Sequence, residues 1–209
     1  MKDGPDQIAL PLDWPQVGDD DRFLVSSANH AAFEHFRTWS LWPVKATILT
    51  GPRRSGRTLL ARAFCVRVGG RLVDEAEGHD EEALFHAWNA AQESKRPLVM
   101  IADAPPPAWQ VTLPDLRTRL AVTPVARIAE PDDALFAGVI QLLFADRGLH
   151  LPGEALRFVI ERVERSYYMA ERVVEAIDRF AIADRARLTL PTIRRALAEG
   201  RLIDVGRAA

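Results

Sequence analysis

The chain has 209 residues, a formal net charge of −2, and a composition that is 48% hydrophobic and 27% charged. That suits one α/β domain with a small appendage and excludes an overall basic footprint for nucleic acid. One cysteine, Cys65, excludes an internal disulfide; with no apolar run of membrane-spanning length, the expectation is a cytoplasmic protein without a membrane partner.

Residues 1–19 read as a flexible tail, with Pro5, Pro11 and Pro15 and an acidic run opening at Asp19. The start lacks the basic-then-apolar pattern of a signal peptide. Within the tail lies Gln7-Ile8-Ala9-Leu10-Pro11-Leu12. Apolar groups without a local core fold back or serve a partner. As an extended ligand, this segment would set the glutamine amide on a polar rim and Ile8, Leu10 and Leu12 in an apolar pocket. Residues 23–25, Phe-Leu-Val, are expected as a short strand, with Ser27 or Asn29 capping a helix that carries Ala32, Phe33, Phe36 and Trp39.

The apolar run Ala46-Thr47-Ile48-Leu49-Thr50 leads into Gly51-Pro52-Arg53-Arg54-Ser55-Gly56-Arg57-Thr58 and then a helical pattern from Leu59. Strand, glycine loop and helix make the context of a phosphate-binding loop, and the two glycines have its spacing. Glycine lets backbone N–H groups turn inward as an anion cradle, and the following helix adds its positive end. Gly51, Pro52, Ser55, Gly56, Arg57, Thr58 and Leu59 are the expected nucleotide contacts, with the Thr58 hydroxyl placed for Mg²⁺. Arg57 stands where the motif has lysine, a planar fork in place of a compact ammonium. The same residues would also serve as a glycine turn with a surface arginine.

After Gly69 and Gly70 a brief β-prone run ends in Asp74-Glu75. Paired acids there can hold Mg²⁺ through water and orient an attacking water; the alternative is a solvated acidic loop. Residues 81–94 read as a helix with Leu84, Phe85, Trp88 and Ala91 on one face. Residues 97–102 read as a buried parallel strand ending at Asp103, in the crevice where open α/β sheets bind ligands. Arg117 and Arg119, two apart on one helical turn, cannot both face inward. A last strand is expected within residues 122–128. The expected α/β core covers residues 20–129, and residues 130–209 read as a bundle of roughly four helices, the first capped by Asp132 and Asp133.

Together these residues resemble the AAA+ core of the replication initiator DnaA and, more closely, its short Hda-type homologues. Gln7-Ile8-Ala9-Leu10-Pro11-Leu12 is similar at every fixed position to the segment that docks Hda-like proteins on the DNA-polymerase sliding clamp. Leu113-Pro114-Asp115-Leu116-Arg117-Thr118-Arg119-Leu120 resembles the family's arginine-finger segment, with Arg119 as the finger acting in trans. Ile101-Ala102-Asp103-Ala104-Pro105-Pro106 resembles the sensor I strand end, which leaves Asp74 and Glu75 as the Walker B candidates.

The resemblance implies a truncated AAA+ P-loop parallel-sheet core with a C-terminal helical lid. It implies bound ADP or ATP, with Mg²⁺ held by Thr58 and Asp74, and as partners DnaA, the sliding clamp, DNA indirectly through that clamp, and a second copy in a homodimer. The function implied is negative regulation of replication initiation, by stimulating ATP hydrolysis on DnaA, with weak or no hydrolysis by this chain. The chain departs from the family at Arg57 and Ala102. No arginine matches sensor II, whose position Tyr168 takes between Arg165 and Arg172. No duplex-binding helix-turn-helix is expected after the lid. The alternatives are an autonomous P-loop ATPase and a factor recruiting DnaA to the origin.

Overall fold

The computed structural model describes residues 23–184 and 187–203. They fall into two compact units, one ending at Ala129 and the other beginning at Glu130.

The first unit opens on a turn. The strand expected at residues 23–25 does not form, because the Asn29 side chain takes local backbone groups. Its amide donates to the Leu24 carbonyl at 2.7 Å, and its oxygen accepts from the Ser26 N–H at 2.8 Å. Asn29 therefore precedes α1 (His30–Arg37) without capping it through its side chain. α1 buries Ala32, Phe33 and Phe36, the face expected from helical spacing. Trp39 and Trp42 join Phe36 and Phe64 in an aromatic cluster.

Four parallel strands follow: β1 (Ala46–Thr50), β2 (Arg71–Val73), β3 (Leu98–Ile101) and β4 (Val125–Arg127), in the order β2-β3-β1-β4. Helices α2 (Arg57–Val68), α3 (Glu81–Ser94) and α4 (Pro114–Ala121) make the crossovers. β1 and β3 are the inner pair, and every residue of both is buried. Burial on two faces is why they read as unbroken apolar runs. The two threonines of β1 fit there because their hydroxyls donate to the carbonyls of Pro124 and Ala126. β2 is a three-residue edge strand that follows α2 directly after Gly69 and Gly70, which accounts for the shortened core. The connection leaving β1 runs toward one edge of the sheet and the connection leaving β3 toward the other. The switch point therefore lies between β1 and β3, and a crevice opens outside their carboxyl ends.

The second unit is the expected bundle: α5 (Asp133–Asp146), α6 (Gly153–Arg162), α7 (Tyr167–Asp184) and α8 (Leu190–Glu199). The Asp132 carboxylate caps α5 by accepting the Leu135 N–H at 2.8 Å. Phe136, Ile140 and Phe144 of α5 pack with Val173 and Ile177 of α7 and Ile193 and Leu197 of α8. α6 ends at Arg162, and Arg165, in the link to α7, pairs with Asp133.

Candidate functional site

The glycine loop leaves β1 at the crevice. Gly51 has φ +151°, and a Cβ there would sit 2.7 Å from the Ile128 carbonyl oxygen, so the close approach requires glycine. Gly56, at φ +83°, starts α2. Between them Arg54 holds φ +69° without being glycine, a strain of order 1–3 kcal/mol of the kind that clusters at ligand clamps. Ser55 is buried, and its hydroxyl has no hydrogen-bond partner among the described residues. Pro52 accepts the Ser55 N–H at 3.3 Å, and Leu59 sits half-buried on the first turn of α2.

The loop's first two catalytic-type neighbours diverge. Asp74 reaches it: the Thr58 hydroxyl donates to Asp74 Oδ2 at 2.9 Å. Glu75 does not. Its backbone takes a left-handed turn, at φ +50°, its N–H donates to Asp74 Oδ1 at 3.0 Å, and the residue is exposed.

Arg57 makes contacts that its motif position did not announce. Its side chain is only 12% exposed, and it donates to the Ala102 carbonyl at 2.8 Å and to Asp103 Oδ1 at 3.0 Å. Arg53 reaches the other oxygen of the same carboxylate at 3.1 Å. The Arg53 guanidinium first, then that of Arg57, holds the Asp103 carboxyl below the usual carboxylate range. Glu77 accepts the Asp103 backbone N–H, fixing the residue from the β2 side.

These residues fit a phosphate: a cradle that a Cβ would fill, an orphaned buried hydroxyl at Ser55, and a hydroxyl–carboxylate pair at Thr58 and Asp74 of the kind that binds Mg²⁺. The cation at the motif's lysine position, however, is engaged by Asp103.

The two arginines of α4 are both exposed and differ in their contacts. Arg117 turns back on its own unit, donating through Nε and Nη2 to the Val111 carbonyl at 3.1 and 2.8 Å. Arg119 is exposed, and its guanidinium lies 4.9 Å from the centre of the Trp88 ring. Among the described residues it forms no ion pair. The start of α4 is held by Glu81, whose carboxylate accepts the Thr112 N–H at 2.9 Å, the Thr112 hydroxyl at 2.8 Å and the Leu113 N–H. The lid arginines near the sensor II segment are occupied within their unit: Arg165 pairs with Asp133, and Arg172 donates to the Tyr168 hydroxyl at 3.0 Å. Sequence reasoning missed the contacts of Glu77, Glu81 and Thr123; Trp88, expected on the apolar face of its helix, is buried there and also carries the Arg119 guanidinium on its ring.

The tail residues Gln7, Ile8, Leu10, Pro11 and Leu12 lie outside the described residues. Among the described residues no His, Cys, Asp and Glu cluster could hold a metal by itself, and no helix is long and apolar enough to cross a membrane. Cys65 is buried, which pushes its thiol up to about 12 and leaves it unreactive.

Residues 135–197 match the family model described as Hda, lid domain. Domain III of the replication initiation protein DnaA from Thermotoga maritima superposes with a TM-score of 0.73 at 16% identity, over 91% of this chain and all of that one. AMPPCP-bound DnaA from Aquifex aeolicus superposes with a TM-score of 0.61 at 14% identity, over 86% of this chain and 68% of that one. An uncharacterized protein of Haemophilus influenzae is 30% identical over 123 residues, which are 57% of this chain. The match covers 53% of that relative, so the chain spans about half its length. Residues 135–197 are thus similar to the Hda lid, and the chain has the AAA+ fold of DnaA domain III, a parallel-sheet core followed by a helical bundle.

Proposed function

We propose that this protein is a negative regulator of replication initiation that stimulates ATP hydrolysis on DnaA. The observation that carries the reading is the contrast on α4: Arg117 donates to a backbone carbonyl of its own unit, while the exposed Arg119 rests on an aromatic face and has no hydrogen-bonded or carboxylate partner for its guanidinium among the described residues. A finger must reach a phosphate held by another subunit, so a guanidinium without a carboxylate partner among the described residues is the form expected of one. Such an arginine stabilises charge that develops on the transferring phosphoryl group, and in other nucleotidases it accelerates hydrolysis by ~10³–10⁵.

The loop residues 51–59 would hold this chain's own ADP or ATP, with Thr58 and Asp74 on Mg²⁺. The nucleotide would supply binding energy and a fixed local conformation. Arg57, engaged by Asp103 and the Ala102 carbonyl, is poorly placed to stabilise a reacting terminal phosphate, which supports a structural role for that nucleotide. The tail segment, residues 7–12, would tether the protein to sliding clamps on DNA and raise its local concentration beside DnaA, so that a weak contact suffices. The test is conversion of DnaA-bound ATP to ADP in the presence of DNA-loaded clamp, with the wild type and Arg119→Ala.

One observation favours a second reading, an autonomous ATPase: the Thr58–Asp74 pair is in place at 2.9 Å. ATP turnover by the purified chain with DnaA omitted separates the two.

A further inference from the structure

Arg119 is held at two points, its guanidinium by Trp88 of α3 and its backbone carbonyl by Thr123, and the contacts close a ring. The Trp88 indole N–H donates to the Thr123 hydroxyl at 3.0 Å. That hydroxyl donates to the Arg119 backbone carbonyl at 2.8 Å. The Arg119 guanidinium returns over the Trp88 ring face at 4.9 Å. Trp88 and Thr123 are both buried, so the ring and hydroxyl are fixed while the guanidinium stays at the surface. Thr123 lies just beyond the last residue of α4 and bonds back four positions, which fixes the final turn carrying Arg119. A free arginine loses much rotamer freedom when it is ordered on a phosphate. A guanidinium already lying on an indole face has given up part of that freedom.

We infer that Trp88 and Thr123 are positioning residues for Arg119: they present its guanidinium in a restricted orientation for an anionic group on a partner. This rests on the reading of Arg119 as a finger. Trp88 and Thr123 touch neither nucleotide nor partner in this scheme and act only through Arg119.

The test uses the full chain with ATP-bound DnaA and DNA-loaded clamp. The maximal rate of ATP conversion and the protein concentration giving half of it are measured for Arg119→Ala, Trp88→Phe, Trp88→Leu, Thr123→Val and Thr123→Ser. Positioning predicts that Trp88→Leu and Thr123→Val lower the maximal rate about tenfold at unchanged half-saturation. Trp88→Phe, which keeps an aromatic face but loses the N–H, should fall between, and Thr123→Ser should restore the wild-type rate. A merely structural role would lower the melting temperature of Thr123→Val and leave the maximal rate of the folded fraction intact. If Trp88→Leu does not fold, the Thr123→Val and Thr123→Ser pair carries the comparison. In the wild type, NMR should find the Arg119 side-chain protons shifted upfield by the indole ring, a shift reduced in Thr123→Val. Stimulation lost in Arg119→Ala but intact in both Trp88→Leu and Thr123→Val overturns the positioning role alone. Stimulation that survives Arg119→Ala overturns the finger reading and this inference with it.

Discussion

Arg57 and Asp103, 46 residues apart, form an ion pair at 3.0 Å, and Arg53 closes on the same carboxylate from the loop. A nucleotide phosphate brought to the loop would compete with Asp103 for both guanidiniums. Replacing the carboxylate by an amide should release them. Asp103→Asn is therefore expected to bind ADP about two- to fivefold more tightly, the range of a partly exposed ion pair. Arg57→Ala should bind it more weakly than the wild type. Titration calorimetry on the purified protein measures both, and weaker binding by Asp103→Asn would mean that the pair supports the site rather than competing with it.

The hold of Glu81 on the start of α4 has a pH signature. The N–H groups of Thr112 and Leu113 and the Thr112 hydroxyl keep the Glu81 carboxyl below its ordinary value of 4.5. A carboxylate depressed in the folded state contributes its stability above the unfolded value, and that contribution disappears as pH falls through the lower folded value. Glu81→Gln should therefore melt below the wild type at pH 7, and the gap should shrink as the pH is taken well below 4.5. A gap that is constant with pH would show that the carboxylate's charge is not what holds the loop.

Backbone space sets a third expectation. Gly51→Ala places a Cβ within 2.7 Å of the Ile128 carbonyl oxygen at a φ of +151°. Backbone cannot yield as a flexible side chain does, so a loss of roughly 2–4 kcal/mol of unfolding free energy is expected, together with weakened nucleotide binding. Urea denaturation measures the first, and a wild-type midpoint would contradict the close approach.

Much of the frame was legible from local pattern. β1 and β3 announced themselves because central parallel strands are apolar throughout, and the lid's first helix because Asp132 is a competent cap. The expected strand at residues 23–25 failed for a local reason that the pattern hid: an asparagine side chain satisfied the backbone first. The glycine loop was legible from spacing, but the engagement of Arg57 was not, since Asp103 reaches it only through the pairing of β1 with β3. The support of Arg119 was partly readable. A threonine four residues after an arginine can bond back along a helix, yet nothing in the sequence says that Trp88 of a different helix completes the ring.

The tail carries a separate prediction. Gln7→Ala with Leu10→Ala should abolish binding to the sliding clamp and leave the melting temperature unchanged. Losing a fully buried leucine and a polar anchor from a short peptide costs several kcal/mol, at ~1.5–3 for the leucine alone. Unchanged affinity in a clamp pull-down would rule out residues 7–12 as the tether.

The most direct test of the regulatory account is the time course of DnaA-bound ATP converted to ADP with DNA-loaded clamp, comparing wild type, Arg119→Ala and Arg117→Ala. Arg119→Ala should fold, bind clamp and give no stimulation, a loss on the order of 10³-fold or more. Arg117→Ala should lose stability, through its Val111 contacts, more than stimulation. Full stimulation by Arg119→Ala would contradict the account.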